Sequence, residues 1–233
     1  MNKEEFIFAL KELNINLTDK QLSDLDTYYK MLIDYNSHTN LTRITEENEV
    51  YLKHFYDSLT IVKMISLDNQ TLLDVGTGAG FPGLVLKIVF PNLKVTLVDS
   101  LNKRINFLNL VIEKLQLKDV KAIHARAEEY ALKNRETFDI VTSRAVANLN
   151  MLSELCIPMV KLSGCFIAMK ADAKNEINCS KKAIETLGGV IKDVVIFSLP
   201  FNAGVRTLIK VVKKVKTSVK YPRKFNEIKK KPL

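Results

Sequence analysis

The stretch LLDVGTGAGFPG, residues 72–83, sets four glycines within twelve positions directly behind an apolar run. Glycine costs about 0.5–1 kcal/mol relative to alanine inside a helix or strand. So dense a cluster marks a loop where side chains would be in the way. Before it, TLLDV (71–75) reads as a short buried strand. After it, GLVLKIVF (83–90) has helical spacing, with Pro82 where a first-turn proline fits. In a doubly wound sheet, a ligand binds beyond the carboxyl ends of the strands, where a loop like this sits.

The remaining chain repeats the alternation. Residues 3–13, 18–35 and about 46–65 carry helical spacing, with Thr18 as an N-cap, and form a helical lead-in. Strands are expected at KVTLVDS (94–100), VKAIHA (120–125), FDIVTSRAV (138–146) and GCFIAMKA (164–171), and again at 189–199 and 204–215. Helices are expected at 102–117, at 149–162 with a kink at Pro158, and at 173–187. Only PFNA separates the last two strands, so they form an antiparallel hairpin. The expected class is α/β, a Rossmann-like class I methyltransferase fold with a mostly parallel sheet ending in an antiparallel hairpin. It divides into an N-terminal helical extension packed on the core (1–65), a core domain (66–215) and a basic C-terminal tail (216–233).

Charge is unevenly spread. The net charge is +9, and residues 206–233 hold eleven of the 35 Lys and Arg against one acid, Glu227. The remaining 205 residues are close to neutral. A neutral body with a basic end suits a polyanion, nucleic acid first and an acidic membrane surface second, or serves as a solubilising tail. The sequence has no apolar window long enough to span a membrane, and its N-terminus lacks a signal-peptide pattern, so a cytoplasmic location and no membrane are expected. Cys156, Cys165 and Cys179 lack CxxC spacing, so neither disulfides nor a metal site is expected.

Residues 74–80 read D-x-G-x-G-x-G, while Gly78, Gly80 and Gly83 also satisfy the dinucleotide pattern G-x-G-x-x-G. Asp74 bears on the choice: an anion hinders a pyrophosphate but suits the cationic amino acid moiety of S-adenosylmethionine. It could equally brace the loop. Asp99, at the end of the second strand, suits ribose hydroxyls in either cofactor. His54 and His124 read as packed or hydrogen-bonded residues, the latter in a buried-looking strand, and His38 as a surface residue.

Further segments then enter in order: NLTRI (40–44), HFYDSL (54–59), LVDSLNKR (97–104), RAEEY (126–130), FDIVTSRAVA (138–147), GCFIAMKA (164–171), and YPRK and KKPL near the end. With the glycine loop, this ordered set resembles the bacterial 16S ribosomal RNA guanine-N7 methyltransferases, once called glucose-inhibited division protein B, over nearly the whole chain. The resemblance implies S-adenosylmethionine as cofactor and 16S ribosomal RNA or the small ribosomal subunit as partner, with no obligate protein partner evident. It implies a cofactor site from Gly76, Gly78 and Phe81, with Asp99 on the ribose, Ala127 and Glu128 near adenine, and Arg144; Asp74 and Gly80 complete the loop. It implies RNA contacts at Asn40, Arg126, Arg144, Lys170 and Arg206, to which the basic end adds Arg223 and Lys224. Phe81 either stacks on adenine or fills core.

Guanine N7 carries a lone pair at neutral pH, so its methylation needs no general base, only orientation. Arg144 is therefore expected to act by orientation, holding a phosphate, guanine O6 or the cofactor carboxylate. The rival readings are a nicotinamide-dependent reductase and a non-catalytic RNA-binding assembly factor. Removing 216–233 is expected to weaken RNA binding and spare cofactor affinity.

Overall fold

The computed structural model describes residues 1–144 and 147–233; the expected strand residues 145 and 146 lie outside the described residues. One seven-stranded sheet runs in the order β3-β2-β1-β4-β5-β7-β6. Its strands are β1 (Thr71–Val75), β2 (Lys94–Asp99), β3 (Val120–His124), β4 (Phe138–Ser143), β5 (Val160–Lys170), β6 (Gly189–Ser198) and β7 (Val205–Lys213). The first five pair in parallel, and β7 runs antiparallel between β5 and β6. This is the expected sheet with its closing hairpin. β1 pairs with β2 on one side and β4 on the other, so strand order reverses there, the point at which such sheets open a crevice.

The lead-in begins with α1 (Lys3–Glu12) and α2 (Asp19–Thr39), each opened by a capping box, Asn2 with Glu5 and Thr18 with Gln21. Then α3 (Glu47–Val50), a π-turn (Tyr51–Tyr56), α4 (Asp57–Leu59) and a 3₁₀ turn (Thr60–Lys63) follow without a break. The apolar faces of these helices lie in the core shared with the sheet: Phe6, Leu10, Leu25, Tyr28, Phe55 and Leu59 are fully buried. Gln21 donates from Nε2 to the carbonyls of Ile88 (3.2 Å) and Val89 (2.8 Å), ending α5 (Gly83–Val89).

The crossover helices α6 (Asn102–Lys114), α7 (Ala127–Lys133), α8 (Leu149–Cys156) and α9 (Lys174–Thr186) fill the two faces. Two expectations need correction. The helix read over 149–162 stops at Cys156: Pro158 lies in a 3₁₀ turn (Ile157–Met159) and β5 begins at Val160. Proline, lacking an N–H, ends this helix rather than kinking it. His124 is exposed, because β3 is an edge strand; its Nε2 lies 3.0 Å from the Ser100 carbonyl.

The basic end is docked. The Arg135 guanidinium donates to the carbonyls of Thr217, Ser218 and Tyr221. Arg223 forks the fully buried Glu154 of α8 at 2.8 and 2.6 Å. Ile228 of α10 (Phe225–Lys230) is fully buried. Lys213, one of the eleven basic residues counted over 206–233, is buried and donates to the Ile157 carbonyl (2.9 Å) and to Thr217; burial pulls its pKa down to about 8.

Candidate functional site at the carboxyl edge of the sheet

The four glycines divide by what surrounds them. Gly76 (φ +68°) and Gly78 (φ +63°) have left-handed backbone, and a Cβ built on either would meet nothing within 4 Å. These two present bare main chain to open space. Gly80 and Gly83 are closed in by protein. At Gly80 (φ +105°) a Cβ would come 2.5 Å from the Tyr28 hydroxyl, which itself donates to the Ala79 carbonyl. At Gly83 it would strike Leu97 and Asp74. Gly80, expected in the cofactor site, is therefore a packing position beneath the loop.

Asp74 is fully buried. Its Oδ2 accepts from Thr77 Oγ1 (2.7 Å) and from the Gly83 amide (2.8 Å), while Oδ1 has no partner. Burial lifts its carboxyl to about 6 against the donors that oppose the rise. Of the two readings left open for Asp74, these contacts are those of bracing: it ties the turn together and occupies the first amide of α5. A pyrophosphate in the dinucleotide mode would need that amide.

Asp99 holds the loop from the other side. Its Oδ2 accepts from the Gly78 amide (2.9 Å), Oδ1 from the Leu101 amide (2.9 Å), and Arg104 NH1 reaches Oδ2 at 3.0 Å. Gly76, Asp99, Arg104, Ala127 and Glu128 line one cleft of about 210 Å3, with Phe225 from α10 as its one aromatic ring among the described residues. That is tighter than the ~300–1,000 Å3 usual for small-ligand sites. Arg104, a third exposed, takes up part of the space. The parts fit a nucleoside cofactor: the open left-handed main chain at Gly76, a carboxylate at the second strand's end, and apolar walls from Val98, Ala125, Leu152 and Leu155.

A second cavity, of about 420 Å3, opens beside it: Ser143 at the end of β4 lines the first and the next residue, Arg144, lines the second. Arg144 donates to the Lys53 carbonyl (2.9 Å), to Asp57 Oδ2 (3.2 Å) and to His54 Nδ1 (3.1 Å), and lies 5.2 Å above the Phe81 ring. Arginine only donates, so Nδ1 accepts and the ring proton sits on Nε2, 3.0 Å from Thr42 Oγ1. Burial and the neighbouring guanidinium lower the His54 pKa to about 3, so the ring is neutral throughout the physiological range. Asp57 is 3% exposed and bridges two cations, its Oδ1 accepting from Arg206 Nε at 3.0 Å. Phe81 stacks on His54 (4.3 Å) and Tyr28 (5.6 Å); of the two readings left open for it, this is core packing under Arg144.

Lys170 lines the second cavity, donating to the Ala147 carbonyl (2.7 Å) and pairing with Glu176 (3.0 Å). Arg206 lies there too. Arg126 lines the first cleft and lies 5.9 Å over Phe225. Arg223 and Lys224 line a third cavity of about 480 Å3 behind Arg126, although Arg223 is committed to Glu154. Asn40, the exposed left-handed cap of α2 (φ +51°), lines none of these cavities.

The residues missed from the sequence are Arg104, Asp57 and Phe225. His54 and Asp57 stand at i, i+3, the spacing that brings two side chains to one helix face. Arg104 stands five residues beyond Asp99, within LVDSLNKR. Nothing local marks Phe225.

Over residues 21–203 the chain matches the family described as "GidB: rRNA small subunit methyltransferase G". A ribosomal RNA small subunit methyltransferase G of Oceanobacillus iheyensis is 48% identical, with 100% of both chains covered. One from Bacillus cytotoxicus is 51% identical over 96% of this chain and 95% of its own. Among solved structures, a SAM-dependent methyltransferase from Aquifex aeolicus is similar with a TM-score of 0.56 at 17% identity, covering 75% of this chain and 97% of that one. M. jannaschii TYW2, solved in complex with AdoMet, gives 0.54 at 18% identity over 65% of this chain and 72% of that one. These two likenesses speak to the fold.

Proposed function

The chain belongs to the GidB family of small-subunit ribosomal RNA methyltransferases G, and from that premise we propose that it transfers a methyl group from S-adenosylmethionine to N7 of a guanine in 16S ribosomal RNA. The observation that carries the cofactor half is the loop. Gly76 turns bare left-handed main chain onto a cleft beside Asp99, and the open Gly78 gives its amide to that carboxylate, while Asp74 fills the place a pyrophosphate would take. The reductase reading loses its anion site by the same contact. An assembly factor without catalysis has no use for the open main chain at Gly76 and Gly78.

Gly76, Gly78, Asp99, Ala127 and Glu128 would hold the nucleoside, with the ribose hydroxyls on the Asp99 carboxylate in place of Arg104. The bound cofactor supplies a methyl on a sulfonium, transferable to a lone pair. The chain's own work is orientation and exclusion of water, a mode worth roughly 7–11 kcal/mol in favourable cases. The cavity beside Arg144 receives the base. Arg144 and Arg206 are fixed side by side by Asp57, placed to hold O6 or a phosphate while N7 stays free. His54 has both ring nitrogens engaged and serves as a fixed acceptor for Arg144. The substrate is 16S ribosomal RNA, free or within the small subunit, in the bacterial cytoplasm; among the described residues no helix is long and apolar enough to cross a membrane.

Two measurements test this. Calorimetry should give uptake of S-adenosylmethionine and none of NADH. Mass mapping of ribosomal RNA should find a methylated guanine that disappears from cells lacking the protein; an unchanged map overturns the assignment.

A further inference from the structure

The basic end was expected to meet RNA and to be dispensable for the cofactor, yet it supplies the cleft with its aromatic ring. Phe225 opens α10 and lines the cleft together with Asp99, Ala125, Ala127 and Leu155. Its position is set by three anchors. Arg223 forks the buried carboxylate of Glu154, Ile228 is fully buried, and Arg135 holds the carbonyls of the preceding turn. The Arg126 guanidinium lies 5.9 Å over the ring, and Phe225, like Ala125 and Ala127, is half-buried and packed against the core cluster that holds Leu152, Leu155 and Ile228.

A purine is flat and apolar on both faces, and a site for it needs walls on each side of the ring. Among the described residues the apolar walls are small or aliphatic, namely Val98, Ala125, Ala127, Leu152 and Leu155, apart from Phe225; Arg104, Arg126 and Glu128 supply the charged ones. Phe225 also divides two spaces. On one side is the cleft; on the other is the third cavity, lined by Arg126, Pro222, Arg223 and Lys224, which carries the cations of the basic end.

We propose that Phe225, delivered by the docked C-terminal segment, is a cofactor-binding residue that closes the adenine side of the cleft. The proposal rests on the methyltransferase reading above. It reverses the expectation that 216–233 can be removed without touching cofactor affinity. It also makes the segment a shared wall, so that what Arg126 and Lys224 contact on the RNA side bears on the cofactor side.

The test is calorimetric titration of S-adenosylhomocysteine into full-length protein. Phe225→Ala should weaken binding by about tenfold, the scale of removing one aromatic–base contact. Phe225→Tyr should restore it. Phe225→Leu keeps apolar bulk against Ala125 and Ala127 but lacks the aromatic face; it should hold Tm near wild type and still lose affinity. If the leucine variant binds as tightly as wild type, the aromatic wall is wrong and the ring is a packing residue. If all three variants bind as wild type, the proposal is overturned while the function stands. If wild type itself takes up no S-adenosylhomocysteine, the function fails and this proposal with it.

Discussion

The two cavities at the carboxyl edge are built in opposite ways. The cleft on the β2 side joins open main chain at Gly76 and an Asp99 hydrogen-bonded to the amides of Gly78 and Leu101 to apolar walls from Val98, Ala125, Leu152 and Leu155. The cavity on the β5 side is made of charged side chains from distant parts of the chain, with Asp57 joining Arg144 and Arg206 across 87 and 149 residues of sequence. A turn of fixed main chain with apolar walls offers a set shape, which suits one constant small ligand. A cluster of paired cations offers charge in a set direction, which suits a large anionic partner. Substitutions on the two sides should therefore fail differently.

The largest effect is expected at the joint of the second cavity. Asp57→Ala leaves two partly buried guanidinium groups without their counter-ion, and breaking such a pair costs about 4 kcal/mol of stability. Methyl transfer should fall about a hundredfold, the scale of losing an orienting group, while S-adenosylhomocysteine affinity stays within about threefold. Unchanged turnover would end the division between the two cavities. On the first side, Gly80→Ala forces a Cβ against Tyr28 at φ +105° and should cost about 3 kcal/mol in urea unfolding. Gly78→Ala, with open space and φ +63°, should cost only about 1 kcal/mol in stability. Its damage should appear in cofactor titration instead; if both glycines behave alike, the loop does not divide as described.

Asp74 sharpens the comparison by pH. Its folded carboxyl stands at about 6, above the 3.8 of the free group, so the folded chain holds that proton more tightly. The associated stability is full below about pH 4 and is lost as pH rises through about 6, up to about 3 kcal/mol. Asp74→Asn should remove this part of the slope, seen as a smaller difference between urea midpoints at pH 4.5 and 7.5 than in wild type. The smallest effect belongs to the rim. Lys224→Gln should lower RNA affinity by less than about threefold and reduce the slope of log affinity against log salt by about 0.7, one phosphate contact on a single strand. An unchanged slope would place Lys224 off the RNA path.

Much of the frame was legible in the amino-acid order because it depends on neighbours. The shift from strand to helix around LLDVGTGAGFPG, the N-cap at Thr18 and the hairpin turning at PFNA are settled within a few residues, by period, glycine's tolerance of positive φ and the length of a turn. So the sheet, its switch point and the carboxylate at its second strand could be read directly. Pro158 was seen and misjudged, because whether a proline bends a helix or ends it depends on what the following residues pair with, and Val160 pairs with Phe138.

Only the tertiary structure decided which glycines open onto free space and which are closed in by Tyr28, Leu97 and Asp74. It also turned Asp74 inward, put Phe81 under Arg144, bound Arg223 to Glu154 and brought Phe225 to the cleft. Each of these depends on elements many residues apart meeting at a particular register, and burial then fixes the partner of every charge it removes from water. Local pattern carries no record of that meeting. It is set by the order of strands in the sheet and by the docking of the two ends of the chain against it.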